Sequence, residues 1–493
     1  MRAGEFARRF SGARGAPHVA LVTALSGLAP GIANAHSFGR LYNLPVPFWL
    51  YVYGATAALV LSFIVVAWFV SAPAAASAMR ERDLGDLAWL RRLRAKPILR
   101  AASVLALLLC IATGFVGINN PYANFNMTFF WIVFVLGFAY LTVLVGDFYK
   151  HLNPWRVIVD TIARAWPRFA QGRLAYPLRL GWWPALALYM AFIWIELFAY
   201  LKPFSLSVVL SAYTLINLLG VWLIGSAAWF ARCEFFAVFF GLIAKMAPLR
   251  YAGGRLRLRA PFIGLIEERA GHMSLVVFAL FMLSSTAFDG LRETVPWMNL
   301  FWTDVYQWLK PYVGSNPVQA YPVLRSLYLG WQTLVLVLSP FLYLALYLAF
   351  IGLAKLVARS TISLRELALR FAFSLLPIAL VYNVTHYYTL VVTQGVKIVP
   401  LLSDPFGFGW NLLGTAGWLR APIIPAAGVV WHTQVDLIVG GHIVSVYLAH
   451  LEALRTFPTP RQATLSQLPM LVLMVTFTTI GLWILAQPIK GGG

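Results

Sequence analysis

The 493-residue chain is 60% hydrophobic and only 11% charged, which leaves too few polar side chains to cover a water-soluble protein of this size. Apolar runs of about twenty residues, enough to cross a hydrocarbon layer about 30 Å thick, recur from end to end, so a lipid bilayer is the expected solvent. The net charge of +21 would favour nucleic acid only if the basic residues shared one surface; they sit instead in alternate loops, so no nucleic-acid partner is expected.

At the N-terminus, Arg2, Arg8, Arg9 and Arg14 precede an apolar stretch over 16–33 that closes on Ala33-Asn34-Ala35. Basic, apolar and small-residue parts in that order predict a signal peptide over residues 1–35. Its removal makes His36 the mature N-terminus, where an α-amine and an imidazole form a chelating pair suited to copper or another borderline metal. The alternative is an uncleaved first helix with His36 in an interfacial loop.

Residues 36–493 then read as a single transmembrane helical domain. Spans are expected at about 47–70, 98–118, 128–148, 181–201, 205–230, 273–292, 326–355, 368–391, 427–453 and 468–487. The fold class is therefore all-α: a polytopic integral membrane helical bundle of about ten transmembrane helices. Every second connecting segment is basic. Arg80 to Lys96, Lys150 to Arg179, Arg232 to Arg269, Arg359 with Arg365, and Arg455 with Arg461 follow spans one, three, five, seven and nine. The positive-inside rule places these in the cytoplasm and the mature N-terminus outside a bacterial inner membrane. Within the basic segments, 155–169 has the spacing of an interfacial helix, and 251–259 alternates basic and apolar residues after a Gly-Gly, as in a hairpin. Segments near 294–324 and 391–426, rich in Trp, Tyr, Pro and Gly, are expected as outer capping loops.

Ionisable groups inside spans are costly and are functional candidates by default. They are Glu196, Asp289, His386, His432, Asp436, His442 and His450, with Glu452 at the inner end. His432 and Asp436 stand at i and i+4 on one helix face, and His442 lies about 15 Å below His432 by helical rise. Antiparallel packing of spans eight and nine would bring His386 toward His432 and Asp436. Imidazoles and carboxylates without thiolates suit a divalent transition metal, zinc or copper foremost, held by His386, His432, His442 and His36. Asp289 or Asp436 would then orient or deprotonate a bound water. The competing account is that most of these histidines are packing residues hydrogen-bonded to carbonyls or to Tyr and Asn side chains. No HExxH, GxSxG, P-loop or dinucleotide fingerprint is present, and Cys110 and Cys233 supply neither a disulfide framework nor a CxxC site.

Several segments resemble bacterial membrane proteins named fenitrothion hydrolase: His36 to Tyr51, Thr286-Ala-Phe-Asp-Gly290, Thr385-His-Tyr387, Ser403 to Trp410 and Gly441 to His450. The resemblance runs along the whole mature chain and adds weight to Asp289, His386 and His442. It implies membrane-bound hydrolysis of a small apolar organophosphorus ester at its aryl ester bond. Two other readings stay open: a metal-ion or proton-coupled transporter or permease, and a non-catalytic membrane protein partner in a larger assembly. A hydrolase predicts polar groups gathered at one side, a transporter polar groups strung from His432 through His442 to His450.

Overall fold

The computed structural model describes residues 47–70, 81–86, 95–252, 254–419 and 423–487, all within the unit Tyr42–Pro488. The expected signal peptide and His36 lie outside the described residues. Fourteen helices matter for the site, in chain order α1 (Phe48–Phe69), α2 (Ala95–Val116), α3 (Phe125–Val145), α4 (Pro154–Ala165), α5 (Trp183–Phe198), α6 (Pro203–Ile224) and α7 (Ser226–Arg232). They continue with α8 (Phe235–Ala244), α9 (Met273–Arg292), α10 (Pro317–Val357), α11 (Leu364–Phe371), α12 (Leu376–Gln394), α13 (Ala427–Thr456) and α14 (Pro460–Ala486). Among the described residues nine helices are long and apolar enough to cross a membrane, the α11–α12 run counting as one. Every expected span contains a helix, but α5, at 16 residues, is shorter than the rest.

Local chemistry sets the helix starts. Asn124, Asn153, Asn316, Ser363 and Thr459 accept an N–H from the first turn of α3, α4, α10, α11 and α14, and proline opens α4, α6, α10 and α14, where its missing N–H costs nothing. The interfacial helix expected over 155–169 is α4 with a short turn after it. The expected hairpin forms as β2 (Leu249–Ala252) and β3 (Arg255–Leu258), with Arg250 opposite Arg257 and Tyr251 opposite Leu256. A distant strand, β1 (Arg82–Asp86), joins the far edge of β3, giving the antiparallel order β1-β3-β2. Glu81, just before β1, ties the sheet together by accepting from Arg250 at 2.9 Å and Arg257 at 3.0 Å. Partial burial raises its carboxyl, but hydrogen bonds and charge from Arg257 and Arg250 outweigh that and hold it below the usual carboxylate range.

Two segments differ from expectation. The fifth span, expected over 205–230, stops at Ile224: its last residues form α7, and α8 lies in the segment expected as a basic loop, the two meeting at a 59° bend. Neither piece reaches spanning length, so hydropathy alone does not register them. Glu234 sits at the break, fully buried, and takes the N–H groups of Phe236 and Ala237 at 3.1 and 2.8 Å, the Tyr213 hydroxyl and the Asn153 amide. That carboxylate cap lets a phenylalanine-rich helix begin among other side chains rather than at a surface. The segment near 294–324, expected as a loop, is helical over Val295–Val313 and continues into α10 from Pro317. The 391–426 segment is closer to expectation: after a short helix, Ile398–Ser403, Asp404 caps the backbone of Phe408 and Gly409, and Pro405 and Phe406 bond the α2–α3 connection.

The centre of the bundle is α9, whose apolar stretch is 83% buried, against 22% for α1 and α2. Small residues make that possible: Ser284 pairs with Ser339 of α10 at 2.9 Å, and Ser285 and Thr286 are buried. On one flank α5 runs parallel to α9. The Trp182 N–H donates to Ser274 at their starts, and Arg292 donates to the Leu197 carbonyl at their ends. On another flank α12 packs against α13 and α14, closely enough that a Cβ on Gly441 would stand 2.4 Å from Val381, and one on Gly481 would collide with the Tyr382 ring.

Candidate functional site

The C-terminal halves of α5, α9 and α12 meet around one buried carboxylate. Asp289 of α9 is only 2% exposed. Its Oδ1 accepts from Nε of Arg292, one turn on, at 3.0 Å. Its Oδ2 lies 2.7 Å from Nε2 of His386 and accepts from the Tyr387 hydroxyl at 3.0 Å. Arg292 also pairs with Glu293 at 3.1 Å and stacks over Phe198. With a guanidinium, an imidazole and a phenol converging on it, Asp289 is a charged acceptor whose burial is compensated by Arg292.

Glu196 of α5 completes the cluster. Its Oε1 is 3.0 Å from the same Tyr387 hydroxyl, so one phenol stands between two carboxyl groups. Tyrosine has a single hydroxyl proton and donates to one acceptor at a time. The second short contact is satisfied when the other carboxyl carries a proton and donates it to the phenol oxygen. Arg292 balances Asp289, whereas no Lys or Arg among the described residues lies within ion-pair distance of Glu196. Glu293, 37% exposed, shares Arg292 with Asp289, and a proton on Glu196 or on His386 offsets part of the remaining negative charge. Tyr387 links Glu196 to Asp289, and Asp289 links it to His386, so four titratable side chains form one connected chain.

A cavity of about 30 Å³ opens beside Glu196 and Asp289. Tyr189, Phe192, Phe235, Phe236 and Phe239 supply its aromatic lining, Ser285, Thr286 and Asn383 its other polar groups. Residues Val135 and Leu136 reach it from a π-helical stretch of α3, Thr128–Gly137, whose wider turn moves that wall outward. The volume is that of one or two waters and falls short of the several hundred Å³ of a drug-sized pocket.

The expected residues divide. Asp289 and His386 come together at hydrogen-bonding distance, and Glu196 joins them. His442 is fully buried elsewhere: its Nδ1 lies 2.8 Å from the Ile438 carbonyl one turn back, and its ring meets Tyr382 edge-on. His432 and Asp436 are exposed, His432 beside Tyr51 of α1. The predicted packing of the eighth and ninth spans does occur, but near His386 it is Gln434 of α13 that bonds α12, donating to the Thr385 carbonyl, while His386 turns to α9. His450 is buried near the far end of α13. Among the described residues no group of three or more His, Cys, Asp or Glu side chains could hold a metal ion. The zinc or copper centre expected on His386, His432 and His442 thus has no assembled donor set, and no chemical step is derived through one. His36 lies outside the described residues.

Two members of the cluster escaped the sequence reading. Tyr387 stood in a recognised segment but has no charge to draw notice, and Arg292 read as a residue of a span end; its i+3 spacing from Asp289 was the available signal.

The fold and site define a helical bundle of membrane-crossing length that holds an acid–base cluster beside an aromatic cavity. No family model matches the chain, and comparison with curated proteins and with solved structures gave no match.

Proposed function

We propose that the chain is a multi-pass bacterial inner-membrane protein, its basic segments cytoplasmic and its mature N-terminus outside after loss of residues 1–35, and that it works as a proton-coupled carrier. The observation that carries this is the Tyr387 hydroxyl held 3.0 Å from both Glu196 and Asp289, so that one phenol bridges a half-buried carboxyl group and a buried one. Ionisable groups are placed inside an apolar bundle at a cost, and proton relays are a use that repays it. The sheet and basic segments at one end of the bundle and the cluster near the other fit a site that loads from the outer leaflet. Infrared difference spectroscopy of the purified protein across a pH step tests it. A protonated carboxyl C=O band titrates in the wild type and disappears in Glu196→Gln; no titrating band in the wild type overturns the carrier reading.

The His386–Asp289 pair favours a second reading. An imidazole held by a carboxylate is the arrangement of a general base, and it fits the hydrolysis of an aryl phosphotriester implied by the resemblance to fenitrothion hydrolase. Such a substrate needs the cavity to widen at least several-fold. Release of nitrophenol from a dialkyl nitrophenyl phosphate in proteoliposomes, abolished by His386→Ala and retained in His442→Ala, supports hydrolysis; no release by the wild type removes it. An assembly role with a membrane protein partner has no observation in its favour.

A further inference from the structure

We infer that the stretch joining α4 to α5, residues 164–182, is a platform for anionic phospholipid, a headgroup that carries a phosphodiester and no amine; this rests on the membrane placement proposed above and not on the carrier reading. The position of the stretch follows from its neighbours. Helix α5 begins at Trp183 and α6 ends at Ile224, so in that placement the stretch stands where crossing helices leave the hydrocarbon. Hydrogen bonds pin it there. The N–H groups of Arg173 and Leu174 both donate to the Leu223 carbonyl, at 2.7 and 2.8 Å, and the Trp182 indole donates to the Ala231 carbonyl of α7 at 3.0 Å. Within the stretch the Tyr176 hydroxyl donates to the Gly181 carbonyl at 2.8 Å. Gly172, at a φ of 78°, approaches α7 so closely that a Cβ on it would stand 2.4 Å from the Gly225 nitrogen.

Charge on this ledge is unbalanced. It carries Arg164, Arg168, Arg173 and Arg179, and Arg232 of α7 lies 5.7 Å from the Tyr176 ring and 5.4 Å from that of Trp182. None of the five has a carboxylate partner among the described residues. The acids nearest in sequence are engaged: Asp147 faces Lys150, Asp160 pairs with Arg100, and Glu234 is fully buried under four hydrogen bonds. The small sheet shows the contrast, since Arg250, Arg255, Arg257 and Arg259 each pair there with Glu81, Asp83 or Glu267. Arginines whose counter-charge the chain does not supply are complementary to an external anion. Arg173 is already oriented for one. Its guanidinium lies 3.8 Å over the Trp222 ring and gives one N–H to the Trp222 carbonyl at 2.9 Å, which fixes its plane and leaves its other N–H groups for a phosphate.

The apolar side chains decide which anion. Trp166, Leu174, Leu178 and Leu180 are exposed among the arginines, Leu178 at 71%. A soluble phosphate or a nucleic acid would leave them in water, whereas the acyl chains beside a headgroup cover them. Arginine interleaved with Trp and Leu at the hydrocarbon boundary therefore fits a lipid better than a soluble anion.

The test is electron spin resonance of the full chain reconstituted in phosphatidylcholine vesicles, with trace spin-labelled phosphatidylglycerol or spin-labelled phosphatidylcholine as the probe. The expected result is a preference of about fivefold or more for phosphatidylglycerol at low salt, shrinking as salt is added. In Arg164→Gln/Arg168→Gln/Arg179→Gln the preference falls to within about twofold, while Arg255→Gln on the sheet keeps it. Arg164→Gln and Arg179→Gln singly, each lowering the preference, serve if the triple variant does not reconstitute. Equal association of the two lipids with the wild type overturns the platform, as does a preference that none of the ledge variants changes. Saturable binding of glycerol phosphate or of a single-stranded oligonucleotide to the detergent-solubilised chain, with no lipid preference, assigns the ledge to a soluble anion and overturns it too. Alkaline carbonate separates the two levels: protein that stays with the vesicles keeps the membrane placement whatever the lipid preference, and protein that is washed off removes both.

Discussion

Asp289 and Glu196 share a phenol, yet their neighbours give them different jobs. Asp289 compensates a guanidinium that is only 11% exposed, so Asp289→Asn leaves Arg292 with the more exposed Glu293 as its one counter-charge among the described residues, at a cost toward the lower end of about 3–5 kcal/mol. Glu196→Gln keeps an acceptor for Tyr387 and removes no ion pair among the described residues, so it costs under ~1 kcal/mol. Thermal unfolding in detergent orders the two variants, and Glu196→Gln as the more damaging change would contradict the assignment of Arg292 to Asp289. At this scale the sequence was informative where a side chain is expensive to bury: Asp289, His386 and Glu196 all stood out. It misled where two residues share an ordinary helical spacing, because His432 and Asp436 do lie on one face, but that face is exposed. His442 shows the limit in another way. Its Nδ1 is satisfied on its own helix, at the Ile438 carbonyl, while its buried Nε2 has no hydrogen-bond partner among the described residues, and nothing in its neighbours along the chain reveals either.

Among the elements, α12 and α14 meet through one tight contact. Tyr382 donates to the Phe477 carbonyl at 2.8 Å, and its ring occupies the space that any side chain on Gly481 would need. Gly481→Ala therefore forces the ring aside, destabilising the protein by about 1–3 kcal/mol despite alanine's better helix propensity. Tyr382→Ala costs a cavity of its own, and the double variant is less damaged than the sum of the two, which unfolding midpoints measure. Long apolar helices were legible because length and hydropathy specify them. The break between α7 and α8 was not, since seven and ten residues fall below any span length and α8 is buried behind a cap, Glu234, whose partners Tyr213 and Asn153 are remote in sequence. The 294–324 segment carries four prolines among its Trp and Tyr residues, which makes a loop the expectation from composition. Proline in fact opens two of its helical stretches, at Pro296 and Pro317, where it is compatible with a first turn.

For the molecule as a whole, charge outside the spans is concentrated on the small sheet and its surroundings. Glu81 is held below the usual carboxylate range by Arg257 and Arg250 against the opposing effect of burial, and Glu268 by the hydrogen bond and charge of Lys245. A carboxyl whose folded value is depressed stabilises the fold above its unfolded value, and that contribution disappears as the pH falls through the folded value. Amide protection in β3, corrected for intrinsic exchange, is accordingly expected to be steady at neutral pH and to decline on acidification below the usual carboxylate range. Glu81→Gln lowers protection at neutral pH and flattens the decline, while an unchanged profile would exclude Glu81 as the tie. Because the arginine and lysine partners of these pairs are partly open to solvent, added salt weakens the same protection.

The sheet also sets an arithmetic rule for the chain. β1 follows α1, whereas β2 and β3 follow α8, and strands paired edge to edge stand on the same side of a bilayer. In the membrane placement proposed above, the number of crossings between Asp86 and Leu249 is therefore even. The helices α2, α3 and α6 account for three. Since α5 shares both its ends with the buried α9, through Trp182 with Ser274 and Leu197 with Arg292, it is the fourth despite its 16 residues. Parity then leaves no crossing for α7 and α8, which dip toward the cavity and return to the side they left. Single cysteines placed at Ala227, exposed at the start of α7, and at Lys245 in a cysteine-free background are expected to react with an impermeant thiol reagent from the same side, and reaction from opposite sides would break the rule.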